Sequence, residues 1–262
     1  MTLVYFFTVL ASGIVSSFIG ITYKLWHRGG FHPVRVLFLY SIGFTAICFL
    51  FILVFDEPVY ARSSLIFGVI SGFHMFTIIY MMYRVTRSSQ LNISWTILQF
   101  SILIPFFLSI IVFDEVLGLR AIIGSSAIFS SIILFGIGKG KKTRASSSIP
   151  DRHSAMILAV ATVTTGSFFF LQKVYTAVAP SGGTFTLLFY NGLTLLCITS
   201  VLMGIRNLYR EMPAFRTIGP FIAFMSVVNV FGPALMIIAL RGLRGSVVYP
   251  LRTVVNVLSV FL

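Results

Sequence analysis

From Leu3 onward the chain consists of apolar runs of about twenty residues, broken by short polar stretches, and that spacing leaves few folds open. A helix of about 20 residues is what crosses the hydrocarbon core of a bilayer, because inside lipid every backbone N–H and C=O must find its partner within the segment. Nine runs have the required character: Leu3 to Tyr23, Pro33 to Phe55, Leu65 to Tyr83, Leu91 to Phe113, Leu117 to Ile137, Ala155 to Tyr175, Thr184 to Met203, Pro220 to Leu240, and Ser246 onward. Only 10% of the 262 residues are charged and 58% are hydrophobic, against about 25% charged in soluble domains. With a mean hydropathy of +1.02, the chain lacks material for a water-facing surface. The expected fold is an all-α polytopic membrane protein.

The formal charge of +13 comes from 19 Lys and Arg against 6 Asp and Glu. In a soluble chain that balance would raise nucleic-acid binding. Here the basic residues cluster between apolar runs, so the partners expected are anionic lipid headgroups and no nucleic acid. Cys48 and Cys197 both lie inside apolar runs, which argues against a disulfide framework or a zinc site. The first apolar run has no basic flank and no small-residue cleavage site, so it reads as a retained helix. One polar, low-complexity stretch, "GKGKKTRASSSIPDRH", separates five spans from four. It divides the chain into a first unit at 1–138, a basic linker at 139–153 and a second unit at 154–262.

The two units resemble each other. "LYSIGFTAIC" from Leu39 matches "LFYNGLTLLC" from Leu188 at an offset of 149, pairing Gly43 with Gly192, Thr45 with Thr194 and Cys48 with Cys197. Lys24 and Lys173 fall at the same offset. Further on, "RVTRSSQLNISWT" from Arg84 matches "RGLRGSVVYPLRT" from Arg241 at an offset of 157. The longer "RNLYREMPAFR" loop absorbs the difference. An odd number of helices per unit sets the units in opposite orientation, giving an inverted repeat of two five-helix halves with nine helices present, whose usual consequence is a binding site between halves near the midplane.

The chain resembles the drug/metabolite transporter superfamily, and within it the EamA-type transporters. The likeness is carried by the first helix ending in Lys24, by "VFDEVLGLRAIIGSSAIFSSIILF", where Asp114 and Glu115 stand at the turn after the fourth helix and Gly124 in the fifth, and by "IIALRGLRGSVVYPL" leading into the ninth. The resemblance implies ten helices, so a C-terminal truncation of roughly 30 residues is expected. It implies a cavity lined by the first, third, fourth, sixth, eighth and ninth helices. It also implies a secondary transporter, a monomer or homodimer in the cell membrane (the inner membrane if the source is Gram-negative), with no cofactor. Small multidrug antiporters, similar in helix packing, use a buried glutamate in the first helix; here Ser12, Ser16 and Ser17 are its polar residues. Asp56, Glu57, Asp114, Glu115, Asp151 and Glu211 all fall in loops or at helix ends, which disfavours cation/proton antiport of that type.

Arg252 is the one charge inside a candidate span, about 9 Å along the helix from Ser246. Either it snorkels to the headgroups, or it faces a cavity and pairs with a carboxylate or phosphate on a substrate. Asn256 one turn on and Tyr249 about one turn back complete a polar stripe. By the offset of 157, Trp95 corresponds to Arg252 and Gln99 to Asn256. Such a pairing suits a small solute with a flat or apolar part, although tryptophan also serves commonly as packing or as an interface anchor. His74 in the third span is either a proton relay or a hydrogen-bonded structural histidine. Asn229 in the eighth span and Asn191 in the seventh are further polar candidates, of which Asn229 lies on a cavity-lining helix of the resembling family.

The expected function is secondary transport of small metabolites by alternating access, with export of amino-acid-like or other anion-bearing solutes favoured by Arg252. A non-transporting membrane protein or a membrane-embedded enzyme is the alternative; an enzyme would need an intramembrane catalytic set, and of the four histidines only His74 is well inside a span. "GKGKKT" lacks the spacing and the strand context of a phosphate-binding loop. Loops after odd-numbered spans carry 13 Lys and Arg and those after even-numbered spans 5, so the positive-inside rule places the linker in the cytoplasm and the N-terminus outside. Members of the resembling family have the opposite arrangement. A reporter fused after Lys142 is expected to be active only if it is of a kind that works in the cytoplasm; activity of an external reporter alone would reverse the assignment.

Overall fold

The computed structural model describes residues 2–29, 31–88, 98–115, 152–211 and 215–259, together with 122, 126 and 130. Among them there are helices and no strands: α1 (Thr2–Gly29), α2 (Pro33–Val54), α3 (Arg62–Ser88), α4 (Leu103–Phe113, preceded by a 3₁₀ turn at Phe100–Ile102), α5 (Arg152–Val178), α6 (Thr184–Ile205), α7 (Phe215–Gly242) and α8 (Gly245–Ser259). Six contain segments long and apolar enough to cross a membrane: Leu3–Tyr23, Pro33–Val54, Arg62–Arg84, Ala155–Val178, Thr184–Ile205 and Ile218–Gly242. These coincide with six of the runs read from the sequence. The fourth run is helical over Phe100–Phe113, and the ninth over the 15 residues of α8. The fifth run and the basic linker lie outside the described residues but for 122, 126 and 130.

Contacts set the direction of each helix. α2 and α6 are antiparallel, with Phe51 and Phe55 against Phe185 at one end and the Ser41 and Thr199 hydroxyls 3.4 Å apart toward the other. α1 and α7 are antiparallel as well: Tyr5 lies against Gly242, Ser12 Oγ donates to the Gly232 carbonyl at 2.8 Å, and Phe18 meets Phe224. α3 runs beside α6 in the same direction, and α4 beside α5 likewise. α1 packs on α7 and α8, while α5 packs on α3 and α4. The main core gathers buried side chains of α1, α2, α3, α6 and α7 around Tyr40, Phe44, Leu187 and Leu195. Around it the outside stays apolar, with Ile205 77% and Ile111 71% exposed. So large an exposed apolar surface has no place in water.

Two helices end by the same device. "VFDE" occurs at 54–57 and again at 112–115. In each copy the aspartate takes a left-handed backbone conformation, Asp56 at φ 51° and Asp114 at φ 48°, and the chain leaves the helix there. Aspartate and asparagine tolerate this region better than other non-glycine residues. Asn207, at φ 49°, stops the chain after α6 in the same way. Prolines lie within two of the helices, Pro220 and Pro233 in α7 and Pro250 in α8, while Pro105 sits in the first turn of α4, where the N–H has no partner within that helix.

Close approach of α3 and α6 rests on glycine. A Cβ at Gly72 would stand 2.5 Å from Thr194 Cβ and 2.8 Å from the Asn191 carbonyl oxygen, and one at Gly68 would stand 2.5 Å from Tyr190 Cβ. Gly72→Val therefore has to push the two helices apart, at a cost of about 1–3 kcal/mol. Its thermal midpoint in detergent is expected to fall below that of the parent, whereas Gly204→Ala, with nothing within 4 Å of the added carbon, leaves the midpoint unchanged.

Candidate functional site

Where α1, α3, α5, α7, α8 and the turn ahead of α4 converge they line a cavity of about 110 Å³. Its walls are mostly apolar, with Met75, Ile78, Ile79 and Met82 from α3 forming one side. Polar groups enter from the other helices: Ser16 from α1, Gln99 and Ser101 ahead of α4, Thr165 from α5, Asn229 from α7, and Arg252, Thr253 and Asn256 from α8. An apolar chamber with a few convergent polar groups is the usual form of a small-molecule site.

Arg252 is only 6% exposed, so it does not reach out to headgroups; of the two readings of this residue, the cavity-facing one fits its position. Its Nε donates to Ser12 Oγ at 3.2 Å and its Nη2 to Ser16 Oγ at 2.6 Å. The guanidinium carbon lies 4.5 Å from the centre of the Phe169 ring, a cation–π arrangement. No carboxylate pairs with it among the described residues. Two neutral hydroxyls and a ring orient the cation and leave its charge uncompensated, which makes the site receptive to an anion.

One turn along α8, Asn256 Nδ2 donates to Gln99 Oε1 at 3.4 Å. These two amides are related by the same offset of 157 that relates the matching sequence stretches. Asn256 Oδ1 is buried and makes no hydrogen bond among the described residues. Asn229 is 7% exposed and donates from Nδ2 to the Met225 carbonyl of its own helix at 2.9 Å. Thus Gln99, Asn229, Arg252 and Asn256 share the cavity. Tyr249 is close by but fully buried, its hydroxyl donating to the Phe169 carbonyl at 3.0 Å, and it does not line the cavity. His74 does not line the cavity, and its Nδ1 is 2.9 Å from the Ile70 carbonyl of its own helix. That bond suits a structural histidine, and the structure does not bring His74 to the other candidates. Trp95 lies outside the described residues. Asn191 packs in α6 against α3 and away from this cavity.

The carboxylates placed in loops from sequence turn out to be structural contacts of another kind. Glu57 accepts hydrogen bonds from the backbone N–H of Thr184 and of Thr186, both at 2.9 Å, at the start of α6. Glu115, 8% exposed, accepts from the N–H groups of Gly245 and Ser246, both at 2.8 Å, at the start of α8, and pairs with Lys173 Nζ at 3.0 Å. Each satisfies backbone donors that the first turn of a helix leaves without an intrahelical partner, with favourable charge. The signal available in the sequence was the repeated "VFDE"; the receiving helices, more than 120 residues away, were not legible. Ser12 and Ser16 were visible only as polar residues of the first span.

Neither protein-family models nor curated proteins give a match to this sequence.

Burial pushes the Glu115 carboxyl up, but the bonds from Ser246, Gly245 and Lys173 outweigh it and hold the group below its ordinary value of 4.5. A carboxyl with a depressed folded value contributes stability that is present above the ordinary value and is lost as pH falls through the lowered one. The stability difference between the parent and Glu115→Gln is therefore expected to be constant above about pH 5 and to shrink at more acid pH. Thermal midpoints in detergent across pH 3 to 7 check this; a difference that grows toward acid would contradict it.

Proposed function

We propose that this chain is a secondary transporter of small anion-bearing metabolites, amino-acid-like solutes among them, working by alternating access and most naturally as an exporter. The observation that carries the reading is Arg252, a cation buried in a cavity-lining position with hydroxyls and a ring for partners. A static structural arginine is normally paired with a carboxylate, because an uncompensated buried charge is expensive. A carboxylate that arrives with a substrate supplies the missing charge and two parallel hydrogen bonds, and the flanking methionines and isoleucines accommodate an apolar part.

The architecture supports the same reading. The cavity draws on the first, third, fourth, sixth, eighth and ninth candidate spans, the set implied by the resemblance to EamA-type drug/metabolite transporters. The packing of α1 on α7 and α8 has a counterpart in the packing of α5 on α3 and α4. With α5 taken as the first helix of the second half, that correspondence, together with the Gln99 and Asn256 pair, supports two halves related by a pseudo-two-fold axis in the membrane plane.

Flux of a panel of amino acids and other organic acids into proteoliposomes tests the proposal. For a transported carboxylate, Arg252→Ala is expected to reduce uptake by about tenfold to a hundredfold, the equivalent of a lost charge-assisted bond of roughly 1.5–3 kcal/mol. Arg252→Lys retains part of the activity, because an ammonium keeps the charge and loses the fork. Uptake unchanged in Arg252→Ala would remove the arginine from the site, and absence of flux for every solute in the parent would remove the transporter reading.

A further inference from the structure

Among the described residues, two carboxylates of the first half clasp helices of the second at one end of the bundle. At the end where α2 and α4 finish, Glu57 clasps the start of α6 and Glu115 clasps the start of α8. Beside them, Tyr175 Oη donates to the Gly183 carbonyl at 2.7 Å and meets Ser64 Oγ at 2.9 Å, while Arg241 donates to the Gly182 carbonyl. At the opposite end, Asn207 follows α6 as Asp56 follows α2, with the same left-handed backbone. The next residue there is Leu208 in place of a glutamate, and what reaches across is Arg35 Nε, donating to the Leu208 carbonyl at 3.1 Å. The carboxylate device is thus present twice at one end, and the corresponding position after α6 lacks it.

The cavity lies toward the opposite end from Glu57 and Glu115. α3 contributes Met75 to Met82, beyond the glycines that meet α6, and α1 contributes Ser16 to Tyr23. α8, which carries Arg252, Thr253 and Asn256, is joined to the residue that follows α4 through Glu115 and to the turn ahead of α4 through the 3.4 Å amide bond of Gln99 and Asn256. Charge-assisted bonds are about twice as strong as neutral ones. Of these two polar links the one made by Glu115 is the stronger.

Building on the transporter reading, we propose that Glu57 and Glu115 are positioning residues that keep the cavity closed toward the "VFDE" end, and that release of these two clamps is the step that opens it to that side. Neither residue touches the cavity. Each acts through the helix whose first turn it holds: Glu115 through α8, which carries Arg252, Thr253 and Asn256, and Glu57 through α6, against which α2 and α3 pack. Because both clamps connect helices of the first half to helices of the second, breaking them frees relative motion of the halves without unwinding any helix.

A reporter cysteine tests this without any substrate, so the result is independent of whether the transported solute has been identified. In a background with Cys48→Ala and Cys197→Ala, Thr253→Cys places one thiol on the cavity wall, and sealed vesicles of defined orientation allow a membrane-impermeant maleimide to be supplied from either side. The Glu57→Ala and Glu115→Ala double variant is expected to raise labelling from the "VFDE" side by about tenfold or more, equivalent to about 1.4 kcal/mol, and to lower labelling from the other side. Unchanged labelling overturns the proposal. So does an increase from both sides, which is the signature of a loosened fold. Should the double variant not yield folded protein, Glu115→Gln, which keeps an acceptor for the amides and loses the Lys173 pair, is measured in the same way; a smaller increase from the "VFDE" side is expected, and none overturns the proposal. Loss of carboxylate flux in Arg252→Ala with normal gating in this assay, or the reverse, separates failure of the site from failure of the clamp.

Discussion

Backbone donors at the start of a helix have no partner within it, and away from water something else must supply one. In this protein two of the helices that follow the basic linker receive that partner from carboxylates belonging to the first half. Glu57 at the start of α6 and Glu115 at the start of α8 each span more than 120 residues of sequence. The interaction is local in space and strongly directional, because a carboxylate presents two oxygens to two amides. It fixes where α6 and α8 begin relative to α2 and α4, and the packing of α8 in turn determines where Arg252 stands. The left-handed aspartate before each glutamate is what turns the chain so that the glutamate can face a neighbouring helix.

Seen from the cavity, the same arrangement separates two uses of charge. Near the helix ends, Lys173 and two backbone amides neutralise Glu115, so this carboxylate acts as a fixed strut. Deep in the bundle, Arg252 is oriented by Ser12 and Ser16 and by the Phe169 ring, none of which carries a charge. An orienting shell that leaves the charge uncompensated holds the guanidinium ready for a ligand at little cost in reorganisation.

How much of this was legible in the sequence depends on whether the property runs along the chain or across it. Span positions are a matter of length and hydropathy along one dimension, and α2 and α6 begin and end within two residues of the runs read from composition. The polar stripe on α8 was legible for Arg252 and Asn256, which lie four residues apart and so share a face. Tyr249, at nearly the same spacing, donates instead to the Phe169 carbonyl of α5, a contact between segments far apart in sequence. His74 looked like an intramembrane polar candidate equal to Asn229; in the structure it lies beside the lining residues of α3 without joining them and bonds to the Ile70 carbonyl. Glu57 and Glu115 were read as loop residues, since nothing in the local sequence announces a helix start from another part of the chain.

The sequence by itself determined that the chain is helical, that six of its helices are long and apolar enough to cross a membrane, and that a cation stands within its final apolar run, because all three follow from residue order and the energetics of burying a backbone in lipid. Only the tertiary structure decided what that cation meets. The side-chain faces of packed helices depend on rotation and crossing, which helical periodicity constrains only to within a turn. It is the docking of α8 against α1 and α4, with Phe169 of α5 alongside, that carries Arg252 out of the reach of headgroups and into a chamber where a pair of serines awaits it.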